Sequence, residues 1–106
     1  MDDIILVTFK TSQTLIGKLV AISSEQDANP NLFVIKEPMF VITQQSKDGN
    51  MIGFMPFLDF SEDFTTGISL PYAEILCFTK PVIGMINEYN KIFGAGIQIA
   101  SSMPKI

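Results

Sequence analysis

Histidine, arginine and tryptophan are missing from this chain of 106 residues, and cysteine occurs once, at Cys77. Without histidine there is no Ser-His-Asp triad, no Cys-His pair and no imidazole ligand for a metal. A lone cysteine excludes an internal disulfide, so nothing points to an oxidising compartment. Positive charge is scarce: seven Lys stand against eleven Asp and Glu, for a net charge of −4 and a pI near 4.5. That balance argues against a basic groove for duplex DNA and against a polybasic membrane patch. Long apolar runs are lacking too. Ile4 to Val7 and Leu32 to Ile35 are typical at about four residues, against the 18 or so that span a bilayer. Met1-Asp2-Asp3 carries the wrong charge for the start of a signal peptide. The expectation is a cytoplasmic protein (the host's cytoplasm, if the gene is a phage's) with no membrane partner and no cofactor.

What is present is apolar. The composition is 47% hydrophobic with a mean hydropathy of +0.34, which excludes disorder and makes a fully solvated monomer suspicious. The length suits one domain. Ile4 to Phe9 is β-branched and apolar, and it pairs naturally with Leu15 to Ser23 as a hairpin. Gly17 inside that second run marks a bulge, a bend or a close backbone approach. Ser24 to Asn31 is a polar loop containing Asn29-Pro30-Asn31. Leu32 to Ile35 and Met39 to Thr43 are hinged at Lys36-Glu37-Pro38, as one kinked strand or as two strands. Asp48-Gly49 is a strong hairpin turn into Met51 to Phe60, where Pro56 argues for an edge. A turn at Leu70-Pro71-Tyr72 precedes a last strand, Glu74 to Thr79.

The period then changes from two to 3.6. Pro81 suits the first turn of a helix capped by Thr79 or Lys80, with Val82, Ile86, Tyr89 and Phe93 on one face and Gly94 as the stop. The fold class expected is mainly β: a small, strongly bent, five-stranded antiparallel barrel over residues 1–80 with an appended C-terminal helix, 81–94, packed on it. Residues 95–106 read as a loose tail or an added edge strand.

Chemistry-bearing clusters are few. Asp59, Glu62 and Asp63 are the densest acidic group, but no calcium loop surrounds them, and solvated carboxylates are the simpler reading. Cys77 sits between Leu76 and Phe78 with no His to activate it, as a small core hydrophobe would. Gly94-Ala95-Gly96 follows a helix instead of opening one, so it reads as a terminator and not as a dinucleotide fingerprint. The amides of Asn29 and Asn31 suit base edges, and suit an ordinary turn better. Tyr72 in its turn suits a stacking platform and a barrel seal equally well. Met51 to Leu58 stands out because both alternating faces are apolar: Ile52, Phe54, Pro56 and Leu58 on one, Met51, Met55 and Phe57 on the other. A strand with one wet face alternates apolar with polar, so a neighbouring subunit is the expected cover.

Over roughly Asp3 to Lys80 the pattern resembles the Sm-like (LSm) proteins, in particular small Sm-like proteins of marine cyanobacterial phages. Gly17 with Leu19 resembles the Gly and aliphatic of the first Sm motif, and Asp27 with Asn31 resembles the Asp and Asn of the following loop. Leu70 and Ile75 have the spacing of the second motif's aliphatics, with Pro71-Tyr72 where the family has Arg-Gly. The family's N-terminal helix is missing, and a helix stands at the C-terminus instead. The resemblance implies an SH3-like barrel closing into a homo-oligomeric ring by strand pairing between subunits, with single-stranded RNA, or DNA, held near the pore.

The leading expectation is therefore a non-catalytic ring protein binding single-stranded nucleic acid. The candidate contacts are Tyr72, Asn29, Asn31, Lys18 and Lys36. Ile52, Phe54, Pro56 and Leu58 are expected to meet Ile75 and Cys77 at the subunit seam. The alternative is a structural or adaptor barrel for protein partners only. Lysines gathered at one rim favour nucleic acid, and scattered ones favour the adaptor. An enzyme comes third, since no acid-base pair or nucleophile assembles.

Overall fold

Six strands and one helix follow one another in the structure, a computed structural model that describes residues 3–22 and 31–93. They are β1 (Asp3–Phe9), β2 (Thr14–Ile22), β3 (Leu32–Ser46), β4 (Gly49–Pro56), β5 (Ile68–Pro71), β6 (Ile75–Thr79) and α1 (Ile83–Phe93), with a 3-10 turn, Tyr72–Glu74, between β5 and β6. The expected Gly94 stop, the tail 95–106 and most of the loop before Asn31 lie outside the described residues. The protein is mainly β with one C-terminal helix. The sheet is antiparallel in the order β4-β3-β2-β1-β6, with β5 on β3. Its hydrogen-bonded path is open, ending at β4 on one side and β6 on the other.

The expected final strand with its preceding turn is here two short strands flanking the 3-10 turn. No helix among the described residues is long and apolar enough to cross a membrane.

Apolar runs form the middle strands of this sheet because both of their faces are covered. Side chains of a strand alternate between faces, and β1 divides accordingly. Ile5 and Val7 join Phe33 and Ile35 in one core cluster, against which Leu19, Leu70, Tyr72 and Ile75 pack. Ile4 and Leu6 face the other cluster, built on Ile16, Met39, Phe64 and Tyr89 and covered by α1.

The hinge at Lys36-Glu37-Pro38 belongs to one continuous strand. There β3 exchanges partners: Leu32 to Ile35 pair with β5, and Met39 to Ser46 with β4. Glu37 takes a left-handed φ of 53°, uncommon for a residue with a side chain. Its N–H donates to the Phe64 carbonyl at 2.7 Å, and the Phe57 N–H donates to the Pro38 carbonyl at 3.0 Å, so the 57–67 loop bridges the gap between β4 and β5. Gly17 lies at the matching irregularity in β2, where the register shifts between Ile16 and Lys18. A Cβ there would stand 2.7 Å from Ile35 Cδ1 and Cγ1 and 3.3 Å from the Lys36 carbonyl. The glycine marks both a bulge and a close approach.

The helix begins later than expected, at Ile83. The Val82 carbonyl accepts from Met85 and Ile86 at 3.0 and 3.2 Å, which places Val82 at the cap instead of Thr79 or Lys80. Pro81 precedes the helix and is buried. Val82, expected on the packed face, is 69% exposed, and Met85 takes its place beside Tyr89 and Phe93.

Candidate functional site

Asn31 and Tyr72 come together because β3 and β5 pair in a register that sets Leu32 opposite Pro71. One residue further along each strand, the Tyr72 N–H donates to the Asn31 carbonyl at 2.8 Å. Asn31 is exposed. Tyr72, the first residue of the 3-10 turn, is half-buried. Its ring lies 5.7 Å from that of Phe33 and 5.8 Å from that of Phe78, which itself stands edge-on to Phe33 at 5.2 Å. This aromatic trio holds Tyr72 at the surface of the core in tilted and edge-to-face contacts. Asn29 lies outside the described residues.

The lysines go elsewhere. Lys18 Nζ sits 2.7 Å from Glu37 Oε1, with both side chains largely shielded. It lies 6.0 and 5.9 Å from the ring centroids of Tyr89 and Phe93, within cation–π reach. Lys36 is its cross-strand partner. Lys18 is thus enclosed on the α1 side of the sheet, while Tyr72 packs on the opposite cluster. The structure does not bring Lys18 to Tyr72. Sequence reading missed the Lys18–Glu37 pair because its partners are 19 positions apart and meet only through the bulge at Gly17 and the left-handed turn at Glu37.

Tyr89, read as a packing residue, also works through its hydroxyl. It is fully buried and donates to the Glu37 carbonyl at 2.6 Å. Burial, and then the negative charge of Glu37, hold its phenol well above the ordinary tyrosine range. Asp63, from the acidic group, shapes the bridging loop: its carbonyl accepts from Thr66 and Gly67, and its N–H meets Ser61 Oγ at 3.0 Å.

Beside the 3-10 turn lies a groove of about 270 Å³ whose lining includes Phe9, Phe40, Phe57, Leu70 and Pro71 with the polar Thr11, Gln13 and Glu74. Phe40 and Phe57 stand edge-to-face in it at 5.2 Å. The only hint of it in the sequence is the apolar flank of Met51 to Phe57.

At the sheet edges, Ile52 is 53% exposed and Pro56 is exposed, while Phe54 is half-buried with its ring 6.5 Å from that of Tyr89. Leu58 lies beyond β4, in a bend with φ 61°, because the chain turns after Pro56 to begin the bridging loop. Ile75 packs inward on the core cluster. Cys77, expected in the core, is exposed because β6 is the last strand of the sheet. Its neighbour Leu76 is 66% exposed. No family model and no curated protein matches this chain.

Proposed function

We propose that this is a non-catalytic Sm-like protein, its sheet curved toward a small barrel, that assembles into a ring and holds single-stranded nucleic acid, RNA first, at Asn31 and Tyr72. The barrel reading is supported by the partners of β5 and β6. β5 pairs with β3, β6 pairs with β1, and only a three-residue turn separates them, so the chain itself bridges where the hydrogen bonds do not. Assembly is supported by the two sheet ends. β4 and β6 are the strands expected to join, and both carry exposed apolar side chains, among them Met51, Ile52 and Met55 on β4 and Leu76 on β6. Open apolar edges pair with other chains unless they are blocked, and a heterologous joint of one edge to the other gives a ring when the rotation per copy closes and a filament when it does not.

The observation that carries the nucleic-acid reading is the 2.8 Å Tyr72–Asn31 backbone bond. It brings together the two loops in which the Sm-like resemblance places base contacts. Binding leans on stacking and base edges, since the net charge of −4 leaves few phosphates to neutralise. Affinity should be weak and should fall gently with salt, by a slope of about −0.7 per neutralised phosphate. The test is fluorescence anisotropy with short U-rich and A-rich oligonucleotides at two salt concentrations. Removing a stacking aromatic costs about 1–3 kcal/mol per base, so Tyr72→Ala should weaken binding about fivefold or more. No binding to either oligonucleotide at low salt rejects the reading.

One observation favours the adaptor alternative: the Lys18 ammonium is engaged with Glu37 instead of facing a ligand. In that reading the same edges serve protein partners alone.

A further inference from the structure

We propose that the groove beside the 3-10 turn takes a guanine base, the strand neighbour of the base stacked on Tyr72, and reads its pairing edge through Glu74 and Gln13. The inference rests on the nucleic-acid reading of Tyr72 above and names the base that the adjoining groove selects.

The groove adjoins that site directly. Pro71 and Glu74 line it and stand on either side of Tyr72 in the chain. Leu70, also in its lining, packs on the same core cluster as Tyr72. At about 270 Å³ the groove is smaller than the roughly 300–1,000 Å³ of pockets for drug-sized ligands, so it suits one flat ring system. Its walls are aromatic: Phe9, with the edge-to-face pair Phe40 and Phe57. An unstacked base is a planar group that gains from lying on such rings.

The polar rim decides which base. Glu74 is exposed, and among the described residues no ion pair uses its carboxylate. An ionised carboxylate only accepts hydrogen bonds, through two oxygens side by side. Gln13 is exposed too, and its Oε1 accepts from the Thr11 hydroxyl at 3.2 Å, which leaves its NH2 group to donate. The backbone holds the two residues near each other. The Lys10 N–H donates to the Glu74 carbonyl at 2.9 Å, and the Phe9 N–H donates to the Gln13 carbonyl at 2.8 Å. The rim therefore offers a donor beside a pair of acceptors. The pairing edge of guanine is the complement: the O6 acceptor, then the N1–H and N2–H donors. Adenine, cytosine and uracil present no two adjacent donor positions for one carboxylate to accept from in parallel. In a chain of net charge −4, a carboxylate beside a nucleic-acid strand repels phosphates. Two charge-assisted bonds to a base edge offset that repulsion.

The test is fluorescence anisotropy with a short U-rich oligonucleotide and a series in which each U in turn becomes G, A or inosine, which lacks the N2 amino group. At the best-placed position G should bind about fivefold or more tighter than A, and inosine should fall below G. Glu74→Gln, a change at an exposed side chain, should bring the G-to-A ratio close to one with an unchanged circular dichroism spectrum. A ratio near one in the parent protein overturns the guanine site. The nucleic-acid reading then stands on U-rich binding and its loss in Tyr72→Ala. No binding to any member of the series overturns both.

Gln13→Glu supplies a second measure, since it sets an acceptor against the O6 acceptor. It should lower the G-to-A ratio as well, and a ratio kept in full by both variants overturns the proposal. Guanosine monophosphate separates a base within a strand from a free nucleotide. It should displace the labelled G-containing oligonucleotide only at far higher concentration than the unlabelled oligonucleotide does. Displacement at equal concentration assigns the groove to a free nucleotide and overturns its link to the strand on Tyr72.

Discussion

The Tyr89 hydroxyl donates a 2.6 Å hydrogen bond to the backbone carbonyl of Glu37, 52 positions away. That bond ties α1 to the point where β3 changes partners, and Lys18 reaches the Glu37 carboxylate at 2.7 Å in the same neighbourhood. Helix, bulge and bridging loop are therefore one mechanical unit. Tyr89→Phe keeps the ring and removes the bond, at an expected cost of about 1 kcal/mol. Tyr89→Ala empties a fully buried site and should cost about 3–5 kcal/mol, much of the stability of a small domain. Urea midpoints of the two variants, at unchanged slope, separate the hydroxyl from the ring.

The same residue sets an alkaline limit. Its phenol is held above the ordinary value, by burial first and by Glu37 second, so the folded protein keeps a proton that the unfolded chain releases near pH 10. The stabilisation is complete below about pH 10 and is lost as pH rises beyond it. In the parent protein, urea midpoints between pH 8 and 11 should fall toward the alkaline end. Tyr89→Phe should flatten that fall; a slope equal to the parent's would assign the effect to other groups.

Gly17→Ala places a methyl 2.7 Å from two atoms of the fully buried Ile35. Overpacking of this kind typically costs about 1–3 kcal/mol. The double variant Gly17→Ala/Ile35→Ala should be less destabilised than the sum of the single changes. Strict additivity in chemical denaturation would mean that the two sites do not collide.

Much of this architecture is legible in the sequence, for identifiable reasons. Gly17 inside a strand and Asp48-Gly49 at a hairpin are backbone signals that act locally: the first marks the bulge, and the second marks the two-residue turn Lys47-Asp48, after which Gly49 opens β4 at a φ of 113°. The helical period of Tyr89 and Phe93 survives because its buried face is long enough to impose itself. Val82 misleads because periodicity does not say which turn comes first; here the helix starts one residue beyond it. Cys77 misleads for another reason: an apolar residue in a strand looks the same in a central strand and in the last one. Of the candidate site, Asn31 and Tyr72 are each marked by turn chemistry, while their backbone bond follows from the pairing of β3 with β5, which no local pattern announces. The fate of Lys18 depended on Glu37 adopting a left-handed φ, which no local pattern around Glu37 announces.

Ile52 and Phe54 divide the edge of β4 into two tests. Phe54 touches Tyr89, so Phe54→Lys should lower both stability and assembly. Ile52 belongs to neither core cluster, so Ile52→Lys should leave the urea midpoint within about 0.5 kcal/mol of the parent, as surface changes usually do. The same charge should still disperse the assembly into smaller species. An Ile52→Lys protein eluting like the parent would remove β4 from the seam.

Assembly through the two open ends of the sheet is the central claim, and the absolute molar mass in solution tests it most directly. Light scattering on the purified chain across a range of concentrations should give a stable multiple of 11.7 kDa, unchanged on dilution and lowered by Ile52→Lys. A mass of one copy at every concentration would contradict it.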